Sequence, residues 1–138
     1  GAALFFVLAL KATALCTLAA SFDGSWSGLL TLAGACCMAG ALARSMVFPA
    51  MHVPSARPGG LGAALHNGVT RRHDMLALGI GLGICALNRG FTALIAALLV
   101  AWLLLSAAQK RLGGVTGDVF GCLIELTESA VLVACCLR

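Results

Sequence analysis

The chain has 138 residues, 61% hydrophobic and 10% charged, with a formal net charge of +4 and a mean hydropathy of +1.03. A soluble domain of this length needs far more charge to cover its surface, so a water-soluble globule is excluded, no nucleic-acid partner is expected, and the lipid bilayer is the natural solvent. Seven cysteines without a CxxC spacing exclude a disulfide framework or a zinc site and are expected as reduced, buried thiols.

Apolar runs predict five membrane helices, at residues 2–20, 29–51, 75–87, 91–107 and 118–137, in an all-α, polytopic transmembrane bundle that forms a single domain over 1–138. The chain opens on Gly1 with an apolar run at once. It is therefore expected to be a fragment or processed product, and the similar segments that follow argue against a signal peptide. The first span carries Lys11 midway along, and a charge inside a span is a functional expectation by default. The loop at 21–27 contains Asp23 and Trp26, the latter expected as an interfacial anchor.

The second span contains Cys36, Cys37 and Arg44. Arg44 is either intramembrane or, if the span ends earlier, at the interface with its stem in lipid. After it comes "HVPSARPGGLGAALHNGVTRRHD". Pro54 and Pro58 break any helix there, while Gly59, Gly60 and Gly62 permit close backbone approach. Arg57 is placed to clamp a phosphate; Arg71 and Arg72 suit either a phosphate or lipid headgroups. His52, His66 and His73 fit no metal spacing and are expected at the interface. The third span is short of the ~20 residues a crossing needs, and is either tilted or extended through 71–74. Its Gly79, Gly81 and Gly83 suggest close helix contact. No strand precedes them, so they are no dinucleotide loop.

The fourth span leads into a loop at 108–117 with Lys110, Arg111, Gly113, Gly114, Thr116 and Gly117. The 52–74 and 108–117 loops share one side and hold most of the basic residues, against Arg89 and Arg138 on the other. The positive-inside rule puts that side in the cytoplasm. In the fifth span Asp118, Glu125 and Glu128 fall on one helix face. They require a counter-charge, either Lys11 and Arg44 or a divalent cation, and the plain alternative is an ion-pair cluster that only holds the bundle. Asp118 also suits the helix N-cap, and the basic, glycine-rich approach to it is a credible phosphate corner. The spacing does not fit a Walker A loop.

Two stretches, "ARPGGLGAAL" (56–65) and "RLGGVTGDVFGCLIELTESAVL" (111–132), closely resemble the cobalamin synthase family. Their order and separation, the opening "GA" and the span holding Lys11 also match, so the resemblance covers essentially the whole chain. It implies a multi-pass inner-membrane transferase, active on the cytoplasmic side. Such an enzyme joins adenosylcobinamide-GDP to α-ribazole or its 5′-phosphate and releases GMP, using Mg²⁺. By that resemblance Gly113, Gly114, Thr116, Gly117 and Asp118 form part of the substrate and metal site. Arg57, Gly59, Gly60 and Arg111 contact substrate phosphate, Lys11 and Arg44 support catalysis from the polar interior, and Glu125 joins Asp118 as a metal ligand.

One departure stands out. The family's aspartate-rich DGLADTADG-type motif, the expected main Mg²⁺ ligand set, belongs upstream of Gly1, so the N-terminal helices are expected to be missing and the fragment alone inactive. The competing readings are a transporter or channel subunit, which requires a polar path reaching both sides, and a structural membrane subunit without a site. The transferase instead requires a polar pocket between the two loops, closed toward the other side.

Overall fold

The computed structural model describes residues 2–57, 59–60, 64, 70–87 and 90–137. Among them the chain is helical apart from one isolated β-bridge. The helices are α1 (Ala2–Ala20), α2 (Trp26–Ser45), the short α3 (Val47–Met51), α4 (Arg71–Leu87), α5 (Phe91–Leu112) and α6 (Gly117–Cys136). Three are long and apolar enough to cross a bilayer: Trp26–Met51, Phe91–Leu112 and Gly117–Cys136. The apolar stretch Phe5–Ala20 of α1 and the 17-residue α4 are shorter. These helices mark the chain as a membrane protein.

The helix ends follow local chemistry and correct several expected boundaries. Ser25 caps α2, its hydroxyl accepting the Gly28 N–H at 3.0 Å, so Trp26 is the first residue of the helix and 73% exposed. The neighbouring Asp23 carboxyl accepts from the Ser25 hydroxyl and N–H, which holds it below the usual carboxylate range. The second span is broken after Ser45 rather than continuous to Met51. Pro49 is the cause, because a proline ring collides with the carbonyl four residues back, which here is Ser45.

α4 takes up the 71–74 extension. α5 runs five residues beyond its apolar stretch, since Lys110 and Arg111 complete its last turn, where cations complement the helix dipole. Gly113 stops it in the left-handed region (φ +74), its N–H donating to Gln109 O at 3.1 Å. At the start of α6 the cap is Thr116, whose hydroxyl accepts the Val119 N–H at 3.4 Å, and not Asp118.

The sixth helix lies at the centre, packed on α5, α2 and α1, while α4 packs mainly on α2 and α5. Leu123 and Val131 of α6 and Met38 and Leu42 of α2 are fully buried. α5 meets the core through Ala93, Ala97, Ala101 and Ala108, a small-residue stripe that lets helices approach closely. Its other face exposes Ile95, Leu98, Leu99, Trp102 and Leu103, as a lipid-facing surface should. Of the three glycines in α4 only Gly81 is in close contact, facing Ser45, whose hydroxyl donates to the Ala77 carbonyl at 2.9 Å.

No disulfide joins the cysteines among the described residues, and of the seven only Cys85 and Cys135 are buried, while Cys16, Cys36, Cys37 and Cys122 are exposed. The expectation of burial fails because the outward surface of a membrane bundle is apolar too, and a small apolar side chain is at home on it. The expected features at Pro58, Gly62, His66, Arg89 and Arg138 lie outside the described residues, as does the side chain of Arg71.

Candidate functional site

The loop after α3 and the turn before α6 are joined through their backbones. Ser55 pairs with Val115 in a parallel bridge. In it the Ala56 N–H donates to Val115 O at 3.0 Å and the Val115 N–H donates to Pro54 O at 2.9 Å. Pro54 fits because only its carbonyl is used. Gly114 makes the approach possible. A Cβ at that position would overlap the Pro54 carbonyl oxygen and stand 2.8 Å from the Ala56 nitrogen.

This clamp presents Arg57. The Arg57 carbonyl accepts from the Ser55 hydroxyl at 3.0 Å and from the Gly60 N–H at 3.3 Å. Gly59, at φ +76, reverses the chain beneath it, a conformation that glycine adopts without strain. A cavity of about 400 Å³ lies between the clamp and the helices, lined by Arg57, Thr116, Asp118 and Cys122 with apolar walls from Leu104, Leu112 and Val119. Arg57 and Asp118 share this cavity without pairing, since neither joins any of the three ion pairs among the described residues. Relieved of cap duty by Thr116, the Asp118 carboxylate is free to meet a ligand. The arrangement offers a guanidinium and a helix N-terminus for an anion, and one hard carboxylate oxygen for a cation.

The other expected site residues fall elsewhere. Gly113 ends α5 and Gly114 admits the clamp, so both act on backbone geometry. Gly117 opens α6, and Arg111 is exposed on the last turn of α5, outside the cavity lining. Lys11 donates to Glu125 at 2.7 Å and to Glu128 at 2.9 Å, as the charge balance of the fifth span requires. It is not brought to Asp118.

Glu125 is spent on that pair and lies seven residues, about 10 Å of helix rise, beyond Asp118. Glu125 is thus drawn toward Lys11 and not toward Asp118. Among the described residues no group of three or more His, Cys, Asp or Glu side chains could hold a metal. Arg44 is not drawn into the carboxylate row either. It donates to the Gly40 carbonyl at 2.9 Å and lines a separate groove between α2 and α4. Neither the Ser55–Val115 bridge nor Cys122 in the cavity wall has a local sequence signal, since both depend on how distant segments meet.

The family described as Cobalamin-5-phosphate synthase matches residues 1–136. The chain belongs to this family. Among curated relatives it is 45% identical to the Adenosylcobinamide-GDP ribazoletransferase of Pseudomonas paraeruginosa over 98% of its own length and 53% of the relative's. It is 39% identical to that of Pseudomonas entomophila, over 97% and 53%. The chain thus spans about half the length of the curated relatives it matches. No solved structure matches it. Membership in the cobalamin synthase family lends no support to the transporter reading.

Proposed function

We propose that the Arg57–Asp118 cavity is part of a ribazoletransferase site that joins adenosylcobinamide-GDP to α-ribazole or its 5′-phosphate. The observation that carries this reading is a cation and a carboxylate, from two loops fastened to each other, facing one cavity without neutralising each other.

In this reading Arg57 and the first N–H groups of α6 hold the pyrophosphate. A ribazole hydroxyl oxygen bonds to the phosphorus on the corrinoid side and gives up its proton to water, the bridging P–O bond breaks, and GMP leaves with the bond's electrons. The Arg57 guanidinium offsets the charge that grows on the phosphates in that step. The donor set suits Mg²⁺, which commonly takes one or two protein carboxylates and completes its shell with water and substrate phosphate. Asp118 is the residue of this chain that would hold it, and the ion supplies further charge neutralisation when bound. Thr116 fixes the turn that aims Asp118, and Leu104, Leu112 and Val119 keep water from the apolar side of the cavity.

The cavity opens at the end of the bundle where Arg57, Arg72, Lys110 and Arg111 gather. The positive-inside rule supports a cytoplasmic orientation for that end, and the family resemblance supports the inner membrane.

The test is GMP release from adenosylcobinamide-GDP and α-ribazole by the complete protein in lipid vesicles. Asp118→Ala is expected to abolish turnover. Unchanged GMP release by that variant would leave the structural-subunit reading standing.

A further inference from the structure

We propose that the groove between α2 and α4 binds an anionic phospholipid, its phosphate held by Arg44 and its acyl chain lying along Phe48, Leu76 and Ile80. The groove has a volume of about 390 Å³ and shares no residue with the Arg57 cavity.

The chain has five carboxylate side chains, and among the described residues none pairs with Arg44. Glu125 and Glu128 take Lys11, Asp74 takes His52, Asp23 is bound to Ser25, and Asp118 lines the other cavity. The guanidinium of Arg44 makes one hydrogen bond, to the Gly40 carbonyl a turn back in its own helix. A guanidinium has five N–H donors, so most of this one's donors, and its charge, are unmatched among the described residues. An uncompensated cation in a membrane helix is costly.

Position identifies the partner. Arg44 lies eighteen residues after Trp26, the exposed aromatic that opens α2. At 1.5 Å per residue that is about 27 Å, close to the ~30 Å of a bilayer's hydrocarbon. With Trp26 at one interface, the Arg44 side chain is within reach of the phosphates at the other. The groove continues from it as apolar wall, and Leu76 and Ile80 are exposed on the outer face.

His73 adds a second polar group to the groove, its Nδ1 bonded to the Thr70 hydroxyl at 2.9 Å and its Nε2 available to a headgroup. A phosphate joined to an acyl chain satisfies both halves of this surface. Free phosphate satisfies only one.

The experiment is native mass spectrometry of the complete protein in detergent, titrated separately with palmitoyl-oleoyl phosphatidylglycerol, palmitoyl-oleoyl phosphatidylcholine and inorganic phosphate. The expected result is retained phosphatidylglycerol, weaker phosphatidylcholine and no competition from millimolar phosphate. Arg44→Gln is expected to weaken phosphatidylglycerol retention about tenfold, the scale of one lost charge-assisted contact. His73→Gln is expected to weaken it less, and guards against a folding defect in the first variant. Equal retention of the two lipids, displacement by inorganic phosphate, or full retention by folded Arg44→Gln would overturn the proposal. The last of these outcomes would assign Arg44 to a carboxylate from another segment.

Discussion

Gly114 faces the backbone of Pro54 with no room for a side chain between them. Pro54 and Gly114 flank the Ser55–Val115 bridge, so the spacing of the two loops is set by the hydrogen atom where other residues carry a Cβ. Arg57 reaches the cavity from one loop and Asp118 from the helix after the other. Whatever separates the backbones separates the two side chains.

Gly114→Ala should therefore force the loops apart, at about 1–3 kcal/mol for the overlap, and lower turnover by about a hundredfold through misplacement. Gly113→Ala provides the contrast. It strains the left-handed end of α5 by roughly 1–2 kcal/mol but meets nothing within 4 Å, so its effect should fall on stability more than on rate. Turnover in vesicles and melting temperature in detergent, measured for both variants, separate these outcomes.

Asp118 and Thr116 divide cap and chemistry between them. Asp118→Asn should lose about a hundredfold or more in kcat while shifting stability by no more than about 0.5 kcal/mol. Thr116→Ala should cost about 1 kcal/mol of stability through the lost cap. A large stability loss in Asp118→Ala would return the cap to Asp118, since asparagine caps as well as aspartate.

Lys11 balances two glutamates across the α1–α6 contact. Lys11→Met leaves both carboxylates without their counter-charge and is expected to destabilise the bundle by about 3 kcal/mol. Combining it with Glu125→Gln and Glu128→Gln should restore most of that loss. Melting curves of the single and triple variants in detergent check it. No recovery in the triple variant would show that the lysine does more than pair.

Cys122 supplies a probe of the cavity. In a variant that keeps Cys122 as its single cysteine, N-ethylmaleimide should modify that thiol and block turnover, and pyrophosphate should slow the modification. Modification that proceeds at the same rate with and without pyrophosphate would place the phosphate site elsewhere.

Much of this was legible in the residues, for physical reasons that differ from place to place. Apolar runs marked the helix bodies because lipid tolerates nothing else. Charge balance called for a counter-charge to the acidic face of α6, either Lys11 and Arg44 or a divalent cation, and the structure supplies Lys11 to Glu125 and Glu128. Two polar loops on one side followed from alternating helix direction. Hydropathy does not place the ends of α2 and α5, because hydropathy and helicity part company there. Gln109–Leu112 is polar yet helical, and the break after Ser45 is made by Pro49 four residues later. Sign alone makes Arg44 a counter-charge for the carboxylates and span length alone makes it interfacial; α2 directs it toward α4. The Ser55–Val115 bridge has no local signature, because its partners meet only after the helices between them have packed.

Arg57 and Asp118 are expected to act on the same substrate, and steady-state kinetics of Arg57→Gln, Asp118→Asn and the double variant in the complete protein test this most directly. The prediction is a fall in kcat/KM of about a hundredfold in each single variant, with the double variant losing less than the product of the two, as for groups that serve one ligand. Single variants that turn over at the unmodified protein's rate would contradict it.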